Sequence, residues 1–243
     1  MHKGPDTNPI NEITCIILAG GLGTRLRSAV PYLPKCMAPV AGKPFLQHVI
    51  DYCVKNGVTH FIFSLGYMHE VIEAFVSKTY QNLSFDFVVE QEPLGTGGGI
   101  HLAMQQSKTR DVIVLNGDTL FSVNLPTLMQ FHLQHHASCT LALKPMKDFD
   151  RYGVVEIDEQ QHIKAFQEKK QYAFGLINGG VYVVNKDAFF SIPFPEKFSF
   201  EKDYLEKYYL SEPMFAMVED VYFIDIGIPE DFEKANRELG ANV

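Results

Sequence analysis

Short apolar runs alternate along the chain with stretches in which apolar residues recur every three or four positions. Ile13–Leu18 is apolar on both faces and stops at Gly20-Gly21, which suits a buried parallel strand. Pro44–Asn56 carries Phe45, Leu46, Val49, Ile50, Cys53 and Val54 as one helical stripe closed by Gly57. His60–Leu65 predicts a second strand, and His69–Phe75 the start of a helix with Val71, Ile72 and Phe75 on one face. Phe85–Glu90 predicts a third strand and Ile100–Gln106 a helix. Val112–Leu115 predicts a fourth strand running into Asn116-Gly117-Asp118. This alternation predicts an α/β fold: a Rossmann-like, doubly wound, mostly parallel sheet with helices on both faces.

After about Leu125 the pattern changes. Ala137–Leu143, Gly153–Ile157, Gly180–Val184 and Val221–Ile224 read as strands with fewer helices between them, an extension of the sheet and a small lobe over its open side. No Pro/Gly/Ser-rich linker interrupts the chain, so residues 13–243 are expected to form one domain with halves at about 13–125 and 126–243. Residues 1–12 are polar and contain Pro5 and Pro9; they predict a flexible extension and lack a signal-peptide core.

The 243 residues, 46% hydrophobic, suffice for a packed core. Lysines and arginines number 21 against 29 acids, a net charge of 21 − 29 = −8, which repels nucleic acid and anionic membranes. No apolar run nears the length of about 20 residues that spans a bilayer. The four cysteines, Cys15, Cys36, Cys53 and Cys139, show no C-x-x-C spacing and are expected to be reduced, in a cytoplasmic protein.

Ligands of such sheets bind beyond the carboxyl ends of the strands, which directs attention to the loops at Gly20–Arg25, Glu90–Gly99 and Asn116–Thr119. The first runs Leu18-Ala19-Gly20-Gly21-Leu22-Gly23-Thr24-Arg25. Its glycines allow close approach of backbone N–H groups to a phosphate, and Arg25 suits a polyphosphate. It is neither a G-x-G-x-x-G fingerprint nor a Walker loop, because Gly42-Lys43 is followed by Pro44. Pro34 and Pro39 stiffen the segment around Lys35, a second candidate cation. Asp118 and Asp225 each end an apolar run. If those strands lie side by side, both carboxylates meet at one sheet edge, and two carboxylates with phosphate oxygens and water suffice for Mg²⁺. His132, His135 and His136 read as decorating a helix and its end, not as metal ligands.

Ala19-Gly20-Gly21-Leu22-Gly23-Thr24-Arg25-Leu26, followed by Pro34-Lys35-x-Met37-x-Pro39-Val40-x-Gly42-Lys43-Pro44, resembles the signature of sugar-1-phosphate nucleotidylyltransferases. Pro93-Leu94-Gly95-Thr96-Gly97-Gly98, Asn116-Gly117-Asp118, Phe166-x-Glu168-Lys169, Asn178-Gly179-Gly180 and Ile224-Asp225-Ile226-Gly227-x-Pro229 are similar in order and spacing. The resemblance covers nearly the whole chain from Ile13 and implies the nucleotide-diphospho-sugar transferase type of sheet with a sugar-binding extension. It implies Arg25, Lys35, Asp118 and Asp225 as catalytic residues, with the two aspartates as Mg²⁺ ligands. Nucleotide contacts are implied for Leu18 through Gly21, Gly23, Thr24, Pro93, Gly95, Thr96, Asn116 and Gly117. Cys36 stands where the family usually has proline, an exchange expected to loosen the Lys35 segment.

Glu90 occupies a place that resembles a glutamine in related uridylyl- and thymidylyltransferases. A carboxylate only accepts, so it matches the adjacent N1–H and N2 donors of guanine and repels the acceptors of uracil and thymine. GTP is the expected donor nucleotide. Tyr152, Gly153, Glu168, Lys169, Asn178, Gly179, Gly180 and Glu201 are expected to ring the sugar 1-phosphate. Asp148–Gly153, Gly175–Gly180 and Phe198–Glu201 look most like the D-glycero-α-D-manno-heptose 1-phosphate guanylyltransferases. Alternatives are a mannose- or glucose-1-phosphate nucleotidylyltransferase, a regulatory nucleotide-sugar-binding module, or an NAD-binding domain, the last disfavoured by the glycine pattern. A monomer or homodimer without a fused acetyltransferase repeat domain is expected.

Overall fold

The computed structural model describes residues 12–21, 26 and 30–241. The expected N-terminal extension lies almost wholly outside them, as do Gly23, Thr24 and Arg25. The first half of the chain supplies strands β1 (Thr14–Leu18), β4 (His60–Leu65), β5 (Ser84–Val89) and β6 (Asp111–Asn116), which pair in parallel in the order β6-β1-β4-β5. A short hairpin, β2 (Pro39–Val40) and β3 (Lys43–Pro44), precedes helix α1 (Phe45–Lys55); helices α2 (His69–Thr79) and α3 (Gly95–Met104) follow. Alternate residues of each central strand feed two separate cores. Cys15, Ile17, Phe61, Phe63, Ile113 and Leu115 join the side covered by α1, α2 and α4 (Leu125–Gln134). Ile16, Ile62, Val112 and Val114 join the side covered by α3, α5 (Lys186–Phe190) and the π-helical turn Phe200–Leu205 that leads into α6 (Glu206–Tyr208). Both faces of the sheet are therefore buried, which accounts for strands that read as unbroken apolar runs.

The second half adds β8 (Cys139–Phe149), β9 (Val154–Ile157), β10 (Ile163–Gln167), β11 (Tyr172–Asn185) and β12 (Met214–Val218). The long β11 runs antiparallel beside β6 and also pairs with β8 and β9, so it joins the parallel part to the lobe. Strands β10 and β12 carry no clear sequence signal. A register shift between Ile163 and Ala165 breaks the alternation of β10, and Met and Ala weaken the strand propensity of β12. Helix α3 begins at Gly95, earlier than the expected Ile100. Its glycines read as loop, but a Cβ at Gly97 would lie 2.3 Å from the Phe198 ring and one at Gly98 2.6 Å from the Glu196 carbonyl oxygen. Close packing of the 196–198 segment requires glycine inside this helix.

Two expectations need correction. The strand β13 (Phe223–Asp225) does not lie beside β6. It pairs antiparallel with β7 (Thr119–Phe121), with Asp225 opposite Thr119, and helix α7 (Pro229–Gly240) follows it. His132 does not decorate a surface. It is buried in α4, with Nδ1 2.9 Å from Thr140 Oγ1 and Nε2 3.2 Å from Asp111 Oδ1, tying the helix to β8 and β6.

Candidate active site

Parallel register sets the carboxyl ends of the first-half strands level with one another. Leu18 pairs with both Ser64 and Asn116, and Leu65 with Val89. A cavity of about 610 Å³ opens at this rim. Of the residues expected to hold nucleotide, Leu18, Gly20, Gly21, Glu90, Pro93, Gly95, Thr96 and Asn116 line it, together with Asp118 and Glu201. Ala19 is buried beneath the rim, and Gly117 packs on β1, its N–H donating to the Leu18 carbonyl at 2.9 Å. Gly95 has φ +75° and sits at the first turn of α3. Within that turn the Gly97 and Gly98 N–H groups donate to the Phe198 carbonyl at 3.0 and 3.4 Å, and the positive end of the helix dipole still faces the rim.

Gln91 and Glu92 of the expected Glu90–Gly99 loop also line the cavity, as do Ser64, Gly66 and Tyr67, which the sequence reading missed as site residues. The available signal was Gly66 directly after the apolar β4 run, the same strand-then-glycine punctuation as at Gly20. The two glycines need each other: a Cβ on Gly66 would lie 3.0 Å from the Gly20 carbonyl oxygen.

The carboxylate of Glu90 is held by the Leu94 N–H, which donates to Oε2 at 2.9 Å. Burial raises its pKa, and the Leu94 hydrogen bond offsets part of that. A Cβ at Gly99 would lie 2.6 Å from Glu90 Oε1 and 3.0 Å from Ser64 Oγ, so Gly99 keeps room for the carboxylate. Gly99→Ala is expected to leave the helix folded, since alanine is the better helix former, while displacing Glu90 and raising the KM for the donor nucleotide. Nucleotide titration alongside a thermal melt checks this.

Lys35 opens a short 3₁₀ turn, Lys35–Met37, closed by Met37 N–H to Pro34 O at 2.8 Å and Ala38 N–H to Lys35 O at 3.1 Å. The expected loosening by Cys36 is not seen: its side chain is buried in this turn. Burial, with the Asp118 charge, pushes its thiol up to about 12, which keeps it protonated and unreactive. Lys35 Nζ lies 2.5 Å from Asp118 Oδ2 and 3.5 Å from Asp225 Oδ1. The β7–β13 pairing and the Ile226 N–H to Asp118 carbonyl bond of 3.1 Å fix the two aspartates as neighbours. Burial first, then the Asp118 charge, raises the Asp225 pKa, and the Lys35 ammonium counteracts this. Two part-exposed carboxylates already gathered around a cationic group are a donor set that suits a hard divalent cation.

A second cavity of about 540 Å³ lies over β9 and β10, lined by Tyr152, Gly153, Glu168, Lys169, Asn178 and Glu201 among others. Gly179 and Gly180 are not among its lining residues. Cβ atoms there would lie 2.3 Å from the Phe121 ring and 2.5 Å from Asn116 Nδ2, so both allow close packing of β11 on the rim. Glu201 lines both cavities, and its Oε2 accepts from Thr96 Oγ1 at 3.0 Å and Ser199 Oγ at 3.2 Å. Asp118 lines the first cavity, and Asp225 is near Tyr152 of the second; burial first and the Asp225 charge second raise the Tyr152 pKa. Among the described residues, no helix is long and apolar enough to cross a membrane.

The D-glycero-alpha-D-manno-heptose 1-phosphate guanylyltransferase of Aneurinibacillus thermoaerophilus is 49% identical to this chain over 224 residues, covering 92% of the chain and 97% of that relative. The Campylobacter jejuni protein of the same name is 44% identical over 217 residues, covering 89% and 96%. A crystal structure of HddC from Yersinia pseudotuberculosis complexed with GMP-PN superposes with a TM-score of 0.84 at 38% identity, covering 93% of this chain and 99% of that one. A family profile for nucleotidyl transferases matches residues 14–242, and by that span the chain belongs to the nucleotidyl transferase family.

Proposed function

We propose that the chain transfers GMP from GTP to D-glycero-α-D-manno-heptose 1-phosphate, forming GDP-heptose and pyrophosphate for surface polysaccharide synthesis. The observation that carries this reading is the pair of cavities, one at the nucleotide rim and one on the lobe, that share Glu201 in their linings. The guanylyltransferase names of the relatives and the GMP-PN complex of HddC support guanosine and heptose as the specific substrates. Residues 13–243 would act as one catalytic unit, in the cytoplasm, with GTP held by the first half and the sugar phosphate by the second.

In this reading a phosphate oxygen of the sugar 1-phosphate attacks the α-phosphorus of GTP. The new P–O bond forms as the bond to the β-phosphate oxygen breaks, and pyrophosphate leaves with the electron pair. Both reactants are anions, so positioning and charge neutralisation carry the catalysis. Arg25 would hold the β- and γ-phosphates, and Lys35 the reacting phosphates. Asp118 and Asp225 would hold Mg²⁺, which when bound would orient and polarise the phosphates. Lys169 and Asn178 would meet the sugar phosphate and its hydroxyls, and Tyr152 would steady Asp225.

Pyrophosphate release measured for four NTPs against heptose, mannose and glucose 1-phosphates tests the assignment. GTP with the heptose phosphate is expected to give the highest kcat/KM. Preference for UTP or dTTP with glucose 1-phosphate would overturn it. For Glu90→Gln, the preference for GTP over UTP is expected to fall by about 10–10²-fold, since a hydrogen bond to a charged group contributes about 1.5–3 kcal/mol. The raised pKa gives this a pH signature. The carboxylate protonates at higher pH than an ordinary one, so the KM for GTP should start to rise earlier on acidification, and Glu90→Gln should lose that rise.

A further inference from the structure

Lys35 occupies a place that the metal also claims. Its ammonium sits on one oxygen of each aspartate, and its side chain is only 13% exposed. Mg²⁺ takes carboxylate oxygens at about 2.0–2.1 Å, so an ion bridging the same two oxygens would stand where Nζ stands. Two cations cannot share that space. The backbone around Lys35 is pinned: Pro34, Cys36 and Met37 are buried and the turn is closed by two hydrogen bonds. The movable part is the flexible four-carbon stem.

We propose that Lys35 is a resident counter-ion of the Asp118–Asp225 pair, exchanged for a divalent cation as the nucleotide arrives, with the released ammonium passing to the reacting phosphates. The inference rests on the metal-pair reading given above. The charges account for the order of events. Two carboxylates and one ammonium sum to −1; a divalent ion in place of the ammonium brings the pair to zero. The ammonium, displaced from both aspartates, then takes phosphate oxygens as its anionic partner. Metal and nucleotide therefore bind cooperatively, and the nucleotide-free chain holds metal weakly.

Mn²⁺ titration of the full chain without nucleotide, followed by electron paramagnetic resonance of the free ion, tests this on wild type, Lys35→Met, Lys35→Gln and Lys35→Met/Asp225→Asn. Lys35→Gln keeps a hydrogen-bond donor without the charge, so one folded single variant suffices, and thermal melts verify folding. Removing the ammonium is expected to tighten Mn²⁺ binding by about 5–150-fold, the usual range of such coupling. It should also enlarge the rise in Tm on adding Mn²⁺. In a crystal of wild type with Mn²⁺ and a non-hydrolysable GTP analogue, Nζ should lie beyond hydrogen-bond reach of Asp118 and on a phosphate. Equal Mn²⁺ affinity in wild type and the single variants overturns the exchange, as does an ammonium still seated on Asp118 beside the bound ion. If Asp225→Asn fails to weaken Mn²⁺ binding in the Lys35→Met background, the metal-pair reading falls and the exchange with it. If it does weaken binding while wild type and Lys35→Met agree, the exchange alone is lost.

Discussion

Asp225→Asn is expected to lower guanylyl transfer by about 10²–10³-fold, the usual loss when one preorganised electrostatic contributor is removed, without lowering thermal stability. Asparagine matches aspartate in shape and still offers an oxygen to Lys35, but it carries no charge for a cation. The stability half follows from the raised pKa of Asp225, which burial causes first and Asp118 second. A carboxyl group whose folded pKa is raised contributes stability below its unfolded value, and that contribution is lost as pH rises through the folded value. At neutral pH the ionised group is therefore a cost to the fold, and neutralising it should leave Tm unchanged or higher. Initial rates over a Mg²⁺ titration, with parallel melts, check both halves. An unchanged metal response would remove Asp225 from the ligand set.

Arg25→Ala should lose a similar factor, about 10²–10³ in turnover, for a different reason. The leaving pyrophosphate gains charge as its bond to the α-phosphorus breaks, and a guanidinium fork offers paired donors to phosphate oxygens. Arg25 lies outside the described residues, so this expectation rests on its place in the glycine loop after β1. Lysine at the same position should restore part of the rate, since it keeps the charge but loses the fork. Single-turnover formation of nucleotide sugar separates this effect from product release. A fully active Arg25→Ala variant would exclude the role.

Much of the fold was legible because the central strands are buried on both faces. Ile13–Leu18 and His60–Leu65 could be read as strands from their composition alone, and Gly20-Gly21 after the first marked the rim. Asp118 was legible as the acid at the end of such a run. Its neighbour was harder. Asp225 emerged as a candidate, but β13 spans only Phe223–Asp225, too short for any period, so its pairing with β7 could not be read. The pairing matters, because it places Asp225 opposite Thr119 and so next to Asp118. His132 was misread because Asp111 and Thr140, which hold it, come close only in the folded sheet. Glycines carried two meanings that sequence does not separate. Gly95 lines the cavity, while Gly97 and Gly179 clear space for the aromatic rings of Phe198 and Phe121.

A crystal structure of the chain soaked with GDP-heptose tests the account most directly. The guanine edge is predicted to face the Glu90 carboxylate, the diphosphate to lie beside Lys35 and the Asp118–Asp225 pair, and the heptose to fill the cavity between β9–β10 and Glu201. A base turned away from Glu90, or a diphosphate bound remote from the two aspartates, would contradict it.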